Sequence, residues 1–272
     1  MWASMLLLAA TAALPNQSAG LQIGNIRVTT GPFGSVRKDQ VPELQYGDIF
    51  FAYYDVDNLV VNELGEAEYT ITMEISNSKG SVIFTDGPRD GKAVLSLGGN
   101  KMPAMTHSSI GKEQEPGEYT IKVTITDRGN KNKNNSAEMT RKFKVKKAEF
   151  GIVQPGLKFV GQNDILNAPP MAMVGQTLVA SCFVGNFGRD KNDDPDLEIT
   201  ITVTDDAGKA TTSKPSTQKI NKNIPKAQDF INIMYPVDCN RAGKYTIEIA
   251  ANDKLNKKSD KVTFPITVQE LK

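Results

Sequence analysis

The segment DKNDDPDLE places oxygen-bearing side chains at Asp190, Asn192, Asp193, Asp194, Asp196 and Glu198. Calcium is held by such oxygens, and the spacing Asp190, Asn192, Asp194 imitates the opening of a calcium loop. The sixth position of that loop needs the sharp turn of a glycine, but Pro195 stands there with its fixed negative φ. The twelfth needs a bidentate Glu, and it is Ile201. An EF-hand is therefore excluded. Two readings stay open: a looser calcium site through Asp190, Asn192, Asp194 and Asp196, or a solvated acidic turn. The corresponding upstream loop carries Asp55, Asp57, Glu63 and Glu66.

Hydrolytic chemistry has little to work with. The single histidine, His107, adjoins Ser108 and Ser109. Neighbours on a strand point to opposite faces, so these side chains cannot form a nucleophile–base pair. No Gly-x-Ser-x-Gly turn is present. Two cysteines, Cys182 and Cys239, are too few for a zinc site of about four ligands or for a disulfide framework. The sequence points to no catalytic group and no cofactor. The basic run RGNKNKNN from Arg128 reads as a solvated hairpin tip, with steering of an acidic polymer as its functional alternative.

The elements that would hold these groups come from a repeat. GEYTIKVTITDR, from Gly117, is written again as GKYTIEIAANDK, from Gly243. Tyr119, Ile121, Val123 and Ile125 alternate with polar residues, as do Tyr245, Ile247 and Ile249, which is the period of a half-buried strand. YGDIFFAYYDV from Tyr46 matches VGQTLVASCFV from Val174, and MTRKFKV from Met139 matches VTFPITV from Val262. The spacing marks a duplicated domain. Expected strands run over 23–30, 47–56, 67–77, 80–85, 92–97, 117–127 and 137–146. In the second copy they run over 151–160, 175–185, 196–205, 208–213, 229–236, 243–253 and 260–269. Seven short strands per copy and no helical period predict an all-β chain. It would hold two tandem immunoglobulin-like antiparallel β-sandwiches, at 21–147 and 148–272.

Several local features follow. Asn77-Ser78-Lys79-Gly80 and Asp205-Asp206-Ala207-Gly208 read as hairpin turns closed by a left-handed glycine. Tyr119 and Tyr245, two residues after a glycine, are placed to bond backbone across a turn, as in the tyrosine corner of such sandwiches. VKKAEFGIV, from Val145, joins the copies without a flexible spacer, so a short, semi-rigid link with contact between copies is expected. Matching the copies turns Phe50, Ala52, Tyr54 and Val56 inward and leaves Phe51 and Tyr53 on the other face. That pair is either a docking surface or is covered by a neighbouring loop or the other copy. Cys182 and Cys239 fall toward opposite ends of their sandwich, beyond disulfide reach, with Cys182 in the core and Cys239 more exposed.

PGEYTIKVTITDR at 116–128, LSLGGNKMPA at 95–104, MTRKFKV at 139–145 and VGQTLVA at 174–180 resemble a family of exported tandem immunoglobulin-like proteins of planctomycete-type bacteria. The resemblance covers most of residues 21–269. It implies the sandwich fold and export, and passes on no catalytic or binding residues.

The bulk properties agree. Of 272 residues, 39% are hydrophobic and 23% charged, enough for a core and against wholesale disorder. The net charge of +1 is spread evenly over the two copies, so nothing matches a nucleic-acid backbone. The start, MWASMLLLAATAALPNQSAG, holds an apolar run the length of a signal-peptide core and too short to span a bilayer. Residues 1–20 are expected to be an export signal, and the processed chain to have no transmembrane segment. The expected role is a secreted, periplasmic or cell-surface module that binds a protein or envelope polymer without catalysis. A structural spacer and a calcium-dependent adhesion module are the alternatives.

Overall fold

The computed structural model describes residues 20–129, 135–161 and 164–270. Residues 1–19 of the expected export signal and the middle of the basic run lie outside them. The described residues are all-β, with no helix long and apolar enough to cross a membrane. The first half of the chain contains β1 (Gln22–Thr29), β2 (Glu43–Leu44), β3 (Ile49–Asp57), β4 (Glu66–Ser76), β5 (Val82–Val94), β6 (Met102–Ser109), β7 (Gly117–Asp127) and β8 (Ser136–Val145). The second contains β9 (Gly151–Val160), β10 (Ile165–Asn167), β11 (Met171–Met173), β12 (Thr177–Gly185), β13 (Leu197–Asp205), β14 (Ser216–Ile220), β15 (Phe230–Asp238), β16 (Gly243–Asp253) and β17 (Lys258–Gln269).

Four sheets enclose two hydrophobic cores. In the first half the orders are β1-β3-β6 and β2-β8-β7-β4-β5. In the second they are β10-β9-β12-β15 and β11-β17-β16-β13-β14. Apart from β10, the two halves repeat one topology. The period-two pattern buries the expected residues. Phe50, Ala52, Tyr54 and Val56 line one core, and Leu178, Ala180, Cys182 and Val184 the other, all nearly inaccessible.

The sheets are not purely antiparallel. β2 runs parallel to β8, and β11 parallel to β17. Both are two- or three-residue pieces that follow a proline, Pro42 or Pro170, where the chain reaches the margin of the opposite sheet. Their brevity left no alternation to read. β5 is one strand where two were expected. It continues through a bulge at Gly87, whose φ is +108 and where a Cβ would lie 2.6 Å from the Ile71 carbonyl. β6 was not expected at all, and β14 lies further along the chain than the 208–213 segment.

The turns use one device. Gly80 and Gly208 take φ of +78 and +76 and donate to the carbonyls of Asn77 and Asp205 at 2.9 Å. Asn77 Oδ1 accepts from the Lys79 and Ser81 amides, as Asp205 Oδ1 does from Ala207 and Lys209. Such side-chain bonds stand in for backbone bonds at tight turns. The tyrosines also bond backbone as expected: Tyr119 Oη donates to Glu115 O at 2.7 Å, and Tyr245 Oη lies 3.2 Å from the carbonyls of Arg241 and Ala242.

Candidate functional site

Strand β3 carries the expected aromatic pair, but the pair does not form an open platform. Phe51 is buried and stacks on His107 of β6, with ring centroids 5.7 Å apart. Tyr53 is half-buried, and its hydroxyl accepts from the Phe33 amide at 3.3 Å. The chain after β1 turns back on itself: Gly34 N donates to Gly31 O, Thr30 N to Ser35 O, and Arg37 N to Val28 O. This loop, out of sight in the β3 pattern, sits over Tyr53. The aromatic exposed at this place is instead Phe33 at its tip, 52% accessible. Phe33 takes φ of +57, a left-handed conformation that disfavours a bulky side chain.

Phe33 forms one lip of a cleft of about 420 Å³ between the two halves. Pro32 stands beside it, and Pro155, Leu157, Pro170 and Pro265 face it from the second half. The sequence brings Pro155 there through a bulge in β9, where the register slips opposite Ser181 and Phe183 and Gln154 takes φ of +51. The walls approach closely at one point: a Cβ on Gly31 would lie 2.7 Å from the Pro155 carbonyl. Among the described residues, Lys261 is the one titratable side chain in the cleft wall, and its Nζ pairs with Glu248. Proline rings, a phenyl ring and backbone groups suit contact with an extended chain and offer no acid–base pair.

The junction is fixed by contacts that sequence reading missed. Tyr46 Oη donates to Asp229 Oδ2 at 2.9 Å, and Lys112 Nζ meets the same oxygen at 2.9 Å. Lys112 first, then the Tyr46 hydroxyl, holds the Asp229 carboxyl below its ordinary range. Burial first, then Asp229, raises the Tyr46 phenol. The Tyr46 ring packs on Phe230 at 4.9 Å, and Gly47, with φ of +92, lies so close to Phe230 that a Cβ there would collide with the ring. Gln154 Nε2 donates to Gly47 O at 2.8 Å, and the Glu149 amide donates to Gln45 Oε1 at 3.1 Å. With β8 ending at Val145 and β9 starting at Gly151, the expected direct join is present.

The acidic segment is arranged as a turn. Asp190 Oδ1 accepts from the amides of Asn192 and Asp194 at 2.8 and 3.0 Å, repeating the device of Asn77 and Asp205. Asp193 takes the left-handed position that glycine takes in the other two turns, with φ of +69. Arg189 braces the turn through four carbonyls, those of Asp193, Ile224, Pro225 and Gln228. Asp196 contributes its carbonyl to Lys254 N. Upstream, Asp55 and Asp57 are bridged by Lys101. Among the described residues, no three His, Cys, Asp or Glu side chains gather as a metal site.

No protein-family model matches the chain, and no curated protein does. Among solved structures it is similar to dimeric latent PorU from Porphyromonas gingivalis, at 12% identity and a TM-score of 0.37, over 95% of this chain and 21% of that one. It is similar to a calcium-binding mutant of Bacteroides uniformis beta-glucuronidase 2, at 12% and 0.35, over 89% of this chain and 28% of that one. The Pseudomonas fluorescens alkylpurine DNA glycosylase AlkC, bound to DNA containing an abasic site analog, gives 13% and 0.28, over 47% and 31%. The chain spans less than a third of the length of each of these proteins. Likeness of this depth assigns the chain no activity.

The remaining candidates do not come together. His107 and Ser108 pair with Phe51 and Phe50, so they point to opposite faces of β6. Cys182 and Cys239 are free thiols, and both are buried. The greater exposure expected for Cys239 is corrected: it is 4% accessible, because the chain beyond β15 turns inward and donates its amide to Gln176 O. Sequence reading passed over Asp127 and Asp253, the last residues of β7 and β16. Asp127 Oδ2 accepts from Val60 N, and Asp253 Oδ2 from Gly188 N. Each ties two loops together, and their matched places in the repeat were the signal available.

Proposed function

We propose that the chain is an exported pair of tandem immunoglobulin-like β-sandwiches that binds a protein or envelope polymer without catalysis. The repeated sheet order, the tyrosine hydroxyls bonded across their turns and the family resemblance support the immunoglobulin-like reading. The apolar start of the sequence supports export.

The observation that carries the binding reading is Phe33. A half-exposed phenyl ring held at φ of +57 costs on the order of 1–2 kcal/mol, and strain of this kind persists where the surroundings enforce it and often where function uses it. The Tyr53 hydroxyl and the Gly31–Gly34 turn enforce it here, at the lip of a cleft walled by proline. The test is a photo-crosslinking side chain at Phe33 in the producing cell, with a control at Lys209 on a distant turn. Crosslinking to one partner, saturable and competed by the unlabelled protein but not by a Pro32→Ala, Phe33→Gly variant, supports binding. The absence of any specific adduct favours the spacer reading, which the braced junction also suits.

A further inference from the structure

The two halves pack the same end of their cores differently. Gly47 N donates to Ile110 O, and Ile110 N to Asp48 O; in the second half Gly175 N donates to Cys239 O, and Cys239 N to Gln176 O. Ile110 and Cys239 therefore occupy one place. Phe143 faces Tyr119 across the first ladder, and Ile266 faces Tyr245 across the second. Leu44 faces Val145, and Ala172 faces Val268. Phe50 and Leu178 hold matching places at the start of β3 and β12. At all four positions the second half has the smaller side chain: Leu to Ala, Phe to Leu, Ile to Cys and Phe to Ile.

The consequence is visible. In the first half Phe143 is fully buried, stacked on Tyr119 at 5.5 Å and packed on Phe50 at 5.2 Å, and the end is plugged. In the second half Tyr245 is only half-buried, and a pocket of about 460 Å³ opens at the end of the sandwich farthest from Gly151. Ile266 and Cys239 lie in its wall, with Tyr235 in place of the smaller Thr106. The rim carries Arg241 and Asp238. Arg241 Nε donates to Tyr245 Oη at 3.0 Å, its guanidinium lies 5.8 Å from that ring, and the residue is exposed. Asp238 Oδ1 is occupied by the Thr177 hydroxyl.

We propose that this pocket is a ligand site for a small amphiphile, an apolar body carrying a carboxylate. The missing phenyl plug sets the shape of the body: the ligand fills the space that Phe143 fills in the other half. The exposed guanidinium of Arg241 sets the head, because its planar donors match a carboxylate. Such a group ends a fatty acid and also ends a polypeptide with an apolar last residue. The wall mixes apolar side chains such as Val203 and Ile266 with polar ones such as Thr211 and Thr212, a make-up that suits an amphiphile.

The test titrates the whole protein with 3-phenylpropionate, its amide, decanoate and a tripeptide ending in phenylalanine, and follows the methyl signals of Val237 and Val268, which line the pocket in every variant, by NMR. Saturable shifts with a carboxylate probe are expected. The Ile266→Phe, Cys239→Ile double variant restores the plug that the first half shows to be compatible with the fold. It should bind each carboxylate probe about tenfold or more weakly and melt no lower than the parent. Arg241→Gln should weaken the carboxylates about tenfold and leave the amide unchanged, which keeps the proposal testable if the double variant fails to fold. Tighter binding of decanoate or of the peptide assigns the source. Non-saturating shifts with all four probes in the parent, or affinity untouched by both variants, would overturn it.

Discussion

Tyr46 and Asp229, 183 positions apart, share a hydrogen bond of 2.9 Å that spans the junction between the two halves. Lys112 closes on the same carboxylate oxygen, and its ammonium lies 5.9 Å from the centre of the Tyr46 ring. One carboxylate thus gathers a phenol and an ammonium from the first half onto the second. The folded state holds the Asp229 carboxyl below its ordinary value of 3.8, so its contribution is complete above that value and is lost as pH falls through the lowered one. The junction should stay closed at neutral pH and loosen in acid below about 4. Asp229→Asn should bring neutral-pH behaviour toward the acid form. Hydrogen exchange of the Gly47 and Gly151 amides measures it: faster exchange in the variant at pH 7 is expected, and parent-like exchange would remove Asp229 from the junction.

Asp253 is 1% exposed and accepts four hydrogen bonds, from the amides of Gly188, Leu255 and Asn256 and from the Asn256 side chain. Replacing it with Ala strands buried donors. Hydrogen bonds to a charged group are worth about 1.5–3 kcal/mol each, and loss of a buried acceptor costs on that scale, so Asp253→Ala should destabilise by about 2–4 kcal/mol. Asp127→Ala should do the same to the first half, since Asp127 collects Val60 N, Gly129 N and Asn135 Nδ2 in the same place. Urea denaturation followed by near-UV signals of each half is the measurement. A shift below 1 kcal/mol would show that water replaces the carboxylate without loss.

The sequence spells out the central strands because they face a core on one side only. β7 and β16 alternate cleanly, and their tyrosines and turn glycines fall where they were expected. β6 escaped because its core side includes Thr106 and its second residue is Pro103, so no apolar period stands out. β2 and β11 are too short to carry a period. The alternation leaves open whether Phe51 and Tyr53 are docking residues or covered ones, because the covering loop at 30–36 depends on bonds such as Phe33 N to Tyr53 Oη that have no sequence signature. The acidic run was legible as chemistry, yet the Asx pattern that made Asn77 and Asp205 turn residues was there at Asp190 too. The end pocket was hidden for a different reason. Ile266 and Cys239 look like ordinary core residues until set beside Phe143 and Ile110.

Tyr54 is 1% exposed, and its hydroxyl has no hydrogen-bond partner among the described residues. Desolvation pushes its phenol up to about 12. A buried hydroxyl without a partner carries an uncompensated desolvation cost, so Tyr54→Phe should stabilise by about 1 kcal/mol at neutral pH. The sign at high pH follows from the raised value. The unfolded chain ionises near 10 while the folded tyrosine stays neutral, so the parent loses stability from there to about 12, and the variant is spared that part of the loss. Thermal melts of both proteins across that range check this, and a variant less stable than its parent at pH 7 would mean that an ordered water satisfies the hydroxyl.

The two thiols should be silent in the folded protein and remain unbridged. Cys182 pairs with Ile233 in the middle of β12, whereas Cys239 follows Asp238, which pairs with Thr177 at the strand's start. Six residues of strand thus separate them, roughly 20 Å at about 3.3 Å per residue, well beyond a disulfide's reach. Burial drives the Cys182 thiol up to about 12 and raises that of Cys239, so neither offers thiolate at neutral pH. Ellman's reagent should therefore titrate neither thiol until denaturant is added, and then both. Mass mapping without reductant should recover two unlinked cysteine peptides. A 182–239 bridge would require β12 and β15 to pair in a register different from the one described. Rapid labelling of Cys239 alone would show that the end pocket opens far enough to expose its floor.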